Sequence, residues 1–118
     1  GAVLDTLQVS SSGQAAWVVV EQSMLDEIGA TKEDTEGLVG YPRSLKGAEV
    51  GVLFKERAAG EVKVSLRSNE YLPVNEVAHK FGGGGHPRAA GCLVEADLAT
   101  AQQQVIKAVE AKLAAYKG

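Results

Sequence analysis

Hydrophobic and polar positions alternate most strictly between Glu61 and Ser68, where Val62, Val64 and Leu66 point one way and Lys63, Ser65 and Arg67 the other. That period of two predicts a strand with one face in a core and one face carrying two cations and a hydroxyl. Glu49 to Lys55 forms its partner, and Arg57-Ala58-Ala59-Gly60 supplies the hairpin turn. Upstream, Leu7 and Val9 alternate with polar neighbours, and Ser11-Ser12-Gly13 is turn chemistry. Ala15 to Val20 is then a continuous apolar run, as in a strand covered on both faces. Trp17 within it reads as core rather than as a stacking surface.

Helical periodicity occupies the rest. Ser23 suits an N-cap for a short helix through Met24, Leu25 and Ile28, stopped by Gly29. A second helical segment covers Lys32 to Val39 and breaks before Tyr41-Pro42. Arg43 to Gly47 then forms a connection whose cations face either a substrate or solvent. Pro73 suits the first position of a helix in which Val74, Val77, Ala78 and Phe81 form one apolar stripe. His79 falls on the opposite, solvated face, and Gly82 is the expected stop. Gly91 to Glu95 is a last short strand. Asp97 caps a long terminal helix through Tyr116, with Val105, Val109 and Leu113 as its stripe, widened by Ile106 and Tyr116. The order β-β-α-α-β-β-α-β-α predicts an α/β fold, a mixed sheet of about five strands with packed helices in a single compact domain.

Composition narrows the function without naming it. At 118 residues with 45 % apolar content, the chain is one ordinary globular domain. A formal charge of −3 gives no whole-surface case for nucleic-acid binding, so such binding needs a local patch. Cys92 alone excludes an internal disulfide and a cysteine zinc site, and its apolar neighbours make it a small core residue rather than a catalytic thiol. No apolar stretch reaches the ~20 residues of a membrane span and no signal-peptide pattern appears, so a cytoplasmic location is expected. A chain that begins at Gly1 rather than methionine is expected to be a piece of a longer one.

One stretch stands apart: Phe81-Gly82-Gly83-Gly84-Gly85-His86-Pro87-Arg88-Ala89-Ala90-Gly91. Four glycines can turn successive N–H groups inward as a nest for phosphate or carboxylate. His86 adds a ring donor, and Arg88 a fixed charge and a planar fork. A structural tight turn accounts for the same residues equally well. Arg67, on the polar face of a strand shortly before this unit, faces either a ligand or water. Chemistry for a self-sufficient enzyme is missing. Two histidines and four scattered aspartates, Asp5, Asp26, Asp34 and Asp97, assemble no metal motif, and no Gly-Lys-Ser/Thr follows the glycines. The spacing is that of a binding domain.

Gly83-Gly84-Gly85-His86 followed by Ala89-Ala90-Gly91 resembles the signature of the DHH-associated domain, the C-terminal partner of the DHH phosphoesterases. Asp34 to Val39, Tyr41-Pro42-Arg43-Ser44, Val62 to Ser68 and Val74 to Ala78 resemble its nanoRNase-type branch. The resemblance implies a division of labour. An upstream DHH domain, absent from this chain, holds manganese and cleaves, while the associated domain grips the far part of a short RNA or small nucleotide. By motif position, Gly83, Gly84, Gly85 and His86 would contact phosphate or a terminal nucleotide. Arg67 with Ser68 would face the same cleft, with Arg88 and Arg43 completing the cationic set. Substrates in the branch include short oligoribonucleotides, 3′-phosphoadenosine 5′-phosphate and, in relatives, cyclic dinucleotides. The isolated chain is expected to hold no metal and to be inactive in hydrolysis; a homodimer is expected of the full-length protein, and no membrane partner. Two rival readings stand beside this one. Related domains occur in alanyl-tRNA synthetases and single-strand exonucleases, which suits a stand-alone nucleic-acid-binding module. A purely structural or dimerising domain would need no ligand.

Overall fold

A computed structural model describes residues 6–23 and 47–116. Eight elements run in the order β1 (Gln8–Val9), β2 (Ala15–Val20), β3 (Val50–Ala58), β4 (Glu61–Ser68), α1 (Val74–His79), β5 (Gly84–His86), β6 (Ala89–Val94) and α2 (Leu98–Ala115). The strands form one mixed sheet in the order β1-β2-β3-β4-β6-β5. Only β2 and β3 pair in parallel, and every other neighbouring pair is antiparallel. A parallel pair needs a long crossover. Here it passes through residues 24–46, so the two expected helices and Arg43 lie outside the described residues.

The alternation predicted for β4 is present in the burial of its apolar positions, but Ser65 on the polar face is buried as well. Val62, Val64 and Leu66 are fully buried, in one core with Trp17, Val52, Phe54, Ala90, Cys92 and Val94. Both helices pack on this face through Val74, Val77 and Ala78 of α1 and Ala101, Val105, Val109 and Leu113 of α2. All six residues of β2 are buried, as the unbroken apolar run implied. Trp17 is core, and its indole Nε1 donates to Gln102 Oε1 at 3.0 Å.

α2 begins at the expected cap: Asp97 accepts from the Thr100 N–H at 2.7 Å. Its far end departs from expectation. Tyr116 is 45 % exposed and sets its ring 6.2 Å from Tyr71. None of the described helices is long and apolar enough to cross a membrane.

The sheet has six strands, one more than expected, and the extra one is made of the glycine run. Gly84, Gly85 and His86 pair with Gly91, Ala90 and Ala89. The run thus forms a strand where its composition suggested a nest or a tight turn. It enters from α1 through Gly82, whose φ of +80° is the left-handed stop that glycine tolerates. The Gly82 and Gly83 N–H groups bond back to His79 and Ala78 carbonyls at 3.1 and 2.9 Å. Strand pairing then takes over, so no row of consecutive N–H groups opens as a nest.

Candidate functional site

The polar face of β4 and the β5–β6 hairpin meet on the side of the sheet away from the helices. Register aligns three rows across the strands. In the first, Arg67 pairs with Ala89 and Ala89 with His86. In the second, Ser65 pairs with Gly91 and Gly91 with Gly84. In the third, Lys63 pairs with Leu93. Neighbouring strands lie about 4.8 Å apart, so Arg67 and His86 stand roughly 10 Å apart across a floor of one alanine. Successive rows are about 6.7 Å apart along the strands.

An open groove of about 260 Å3 follows from this arrangement, lined by Lys63, Ser65, Arg67, Gly84, Ala89, Ala90 and Gly91. Side chains wall one side. The other side is bare peptide, because β5 and β6 present glycine and alanine there. A ligand can approach the backbone closely where no Cβ stands. A larger hollow of about 350 Å3 lies between β1 and α2, beside Trp17, Gln102 and Ile106. It gathers one cation, Lys107, and no glycine floor, so the smaller groove carries the better case for an anionic ligand.

The groove's glycines divide by what surrounds them. A Cβ on Gly83 would sit 2.1 Å from the Gly91 carbonyl oxygen and 2.6 Å from Cys92 Cβ. One on Gly85, at φ +141°, would meet Ala89 O and Ala90 Cα at 2.8 Å. Both glycines exist for close packing of β5 on β6. On Gly84 it would meet only the His79 imidazole, at 3.2 Å from Nε2. His79 is exposed as expected, yet its ring lies against a groove residue rather than standing in open water.

The polar candidates are not all brought together. Arg67 is half-buried and donates from Nη1 to the Leu66 carbonyl at 3.0 Å, with the guanidinium beside the groove. His86 is exposed near the hairpin tip. Its Nδ1 accepts from the Arg88 N–H at 3.1 Å, which leaves Nε2 as the ring nitrogen for an incoming group.

Ser68 does not share Arg67's cleft. Adjacent residues of a strand face opposite ways, and the Ser68 hydroxyl is buried on the helix side, donating to the Leu72 carbonyl at 2.7 Å. Arg88 turns the same way, so the set expected in one cleft is split. Its Nη1 donates to Ser68 Oγ at 3.0 Å and Leu72 O at 3.1 Å, and its Nη2 to Tyr71 O at 3.1 Å. It also lies 3.9 Å from the buried Glu49 carboxylate. Glu49 in turn accepts from the N–H groups of Glu70, Tyr71 and Leu72 at 3.1, 2.7 and 2.9 Å. Arg88 and Glu49 therefore clasp the hairpin to the loop after β4.

Lys63 and Ser65 were not singled out as site residues, although β4's alternation already put them on Arg67's face. What could not be read was that two small residues, Ala89 and Gly91, would lie opposite and leave that face open. Burial pushes the Cys92 thiol up to about 11, so it stays protonated and inert near neutrality. Among the described residues no three His, Cys, Asp or Glu side chains converge as a metal site requires.

Sequence comparison places these features. The family model of the DHHA1 domain matches residues 12–115. The bifunctional oligoribonuclease and PAP phosphatase NrnA of Thermus thermophilus is 36% identical over 114 residues, 96% of this chain and 33% of that protein. The probable bifunctional oligoribonuclease and PAP phosphatase NrnA of Streptococcus mutans is 35% identical over 89 residues, 75% of this chain and 28% of that protein. Among solved structures, an exopolyphosphatase-related protein from Bacteroides fragilis superimposes with a TM-score of 0.79 at 28% identity, covering 99% of this chain and 33% of that one. The chain spans about a third of the length of the relatives it matches.

Proposed function

The chain belongs to the DHHA1 domain family, and from that premise we propose that it is the substrate-gripping domain of a DHH-type phosphoesterase. Its substrates are short oligoribonucleotides or small nucleotides such as 3′-phosphoadenosine 5′-phosphate or cyclic dinucleotides. Hydrolysis belongs to a DHH domain upstream, which holds manganese, and the whole protein works in the cytoplasm. The observation that carries this reading is the groove, a cation wall facing a bare-peptide wall on a net acidic chain. A phosphate sits between the Arg67 guanidinium and His86 Nε2, with sugar or base over Gly84 and Gly91. Arg67 supplies fixed charge and a fork that matches phosphate oxygens. Ser65 adds a hydroxyl to the same row of backbone.

A titration of this chain with a 5′-phosphorylated diribonucleotide, followed by NMR, tests it. Amide shifts are expected at Gly83–His86, Ala89–Gly91 and Arg67. Arg67→Ala and His86→Ala should each weaken binding by about tenfold, the size of one charge-assisted hydrogen bond. Shifts centred on the Trp17 hollow, or binding untouched by both variants, would move the ligand elsewhere and sink the proposal.

A further inference from the structure

The groove has two unlike ends. Arg67 and His86 mark one, beside the hairpin turn. At the other, Lys63 pairs directly with Leu93, a large apolar residue that borders the groove and is 40 % exposed where β6 has run past the end of β5. Between them the row of Ser65, Gly91 and Gly84 carries one side chain, the buried Ser65, and otherwise only backbone. Arg67 lies four residues along the strand from Lys63, about 13 Å at 3.3–3.4 Å per residue. Both side chains line the same groove.

We infer that the far end, Lys63 with Leu93, is a second subsite that takes the second phosphate and adjoining sugar of a ligand at least two nucleotides long. The inference rests on the reading of the groove as a nucleotide site and extends it from one anchor to two. A single phosphate held at Arg67 and His86 leaves Lys63 two rows away. A chain that continues along β4 instead crosses the middle row, where Ser65 is the one residue of β4, β5 and β6 that carries a side chain. It arrives where a cation and an apolar surface lie side by side. That pairing suits a nucleotide, which presents a charged phosphate next to the carbon face of a sugar or base. Leu93 owes its exposure to this position: the strand pattern sends it to the groove face, while Cys92 and Val94 on either side enter the core. The groove is therefore a length gauge, with one end serving any phosphorylated nucleotide and the other rewarding only the next unit.

Binding of 5′-AMP and of 5′-phospho-ApA to this chain, measured by calorimetry or NMR at several salt concentrations, separates the two ends. Lys63→Ala should weaken 5′-phospho-ApA about tenfold and leave 5′-AMP within twofold. It should also flatten the logarithmic salt dependence for the dinucleotide by about 0.7, the share of one phosphate on a single strand. Lys63→Arg should restore both. Leu93→Ser should weaken the dinucleotide a few-fold at unchanged salt slope. Arg67→Ala should weaken both ligands. Equal losses for both ligands in Lys63→Ala, or no loss for either, would overturn the second subsite while leaving the first anchor intact. Wild-type chain that binds neither ligand at millimolar concentration would overturn the nucleotide reading and the second subsite with it.

Discussion

Gly83 and Gly84 are adjacent and, on sequence grounds, interchangeable, yet a methyl group would meet very different surroundings at each. At Gly83 it would lie 2.1 Å from a backbone carbonyl oxygen that belongs to the paired strand and cannot step aside. Gly83→Ala should therefore cost upward of about 3 kcal/mol, read from urea unfolding, because relief requires β5 to separate from β6. At Gly84 the neighbour is an exposed imidazole that can rotate away. Gly84→Ala should change stability by less than about 1 kcal/mol while weakening nucleotide binding, since the methyl narrows the bare side of the groove. A stability loss at Gly84 equal to that at Gly83 would show that both serve only packing. The glycines announced themselves in the sequence, but their division of labour did not. It depends on Gly91 and Cys92 lying against the run, a contact made by pairing rather than by proximity in the chain. The place of Arg88 rests on the same kind of contact, since its partners, the Leu72 and Tyr71 carbonyls, lie far from the glycine run in the chain.

At the scale of elements, legibility followed periodicity. β4, α1 and the stripe of α2 could be drawn from apolar spacing, because each buries one face and the burial dictates the pattern. β5 could not. Two glycines and a histidine carry neither alternation nor β propensity, and β6 is the one strand that β5 pairs with. Its position depends on the clasp at the hairpin, where Glu49 accepts three backbone N–H groups and Arg88 bridges to the same loop. Glu49→Ala would leave those donors without the carboxylate. It should cost about 3 kcal/mol and broaden the amide signals of Gly84–His86, because the loop that receives Arg88 loses its anchor. Broadening confined to residues 69–72 would mean the hairpin stands without the clasp. α2 offers a check on its cap. The Thr100 N–H, and then its hydroxyl, hold the Asp97 carboxyl below its ordinary 3.8. A depressed folded value stabilises fully above the unfolded one and is lost as pH falls through the folded one, so the contribution disappears below about pH 4. Asp97→Asn, which still caps, should match the wild type at pH 7 and show a shallower loss of Tm on acidification. An unchanged acid limb would mean the charge at this cap plays no part.

For the molecule as a whole, charge and shape pull the choice of ligand in one direction. The chain carries −3, yet Lys63 and Arg67 line one face of a single strand, so one groove brings together two cations about 13 Å apart. Screening at physiological salt leaves about 8 Å over which the rest of the surface is felt. A ligand that ends within the groove meets only the favourable part. A longer strand runs on past these two cations over a chain whose net charge is −3, and long polymers gain affinity chiefly by neutralising many phosphates. A diribonucleotide should therefore bind more tightly per site than an RNA of about 20 nucleotides, with a salt slope no shallower, in a competition titration against one labelled ligand. Equal or tighter per-site binding of the long strand, with a steeper slope, would point to cations beyond the groove. The domain would then be a general nucleic-acid-binding module rather than the grip of an enzyme for short substrates.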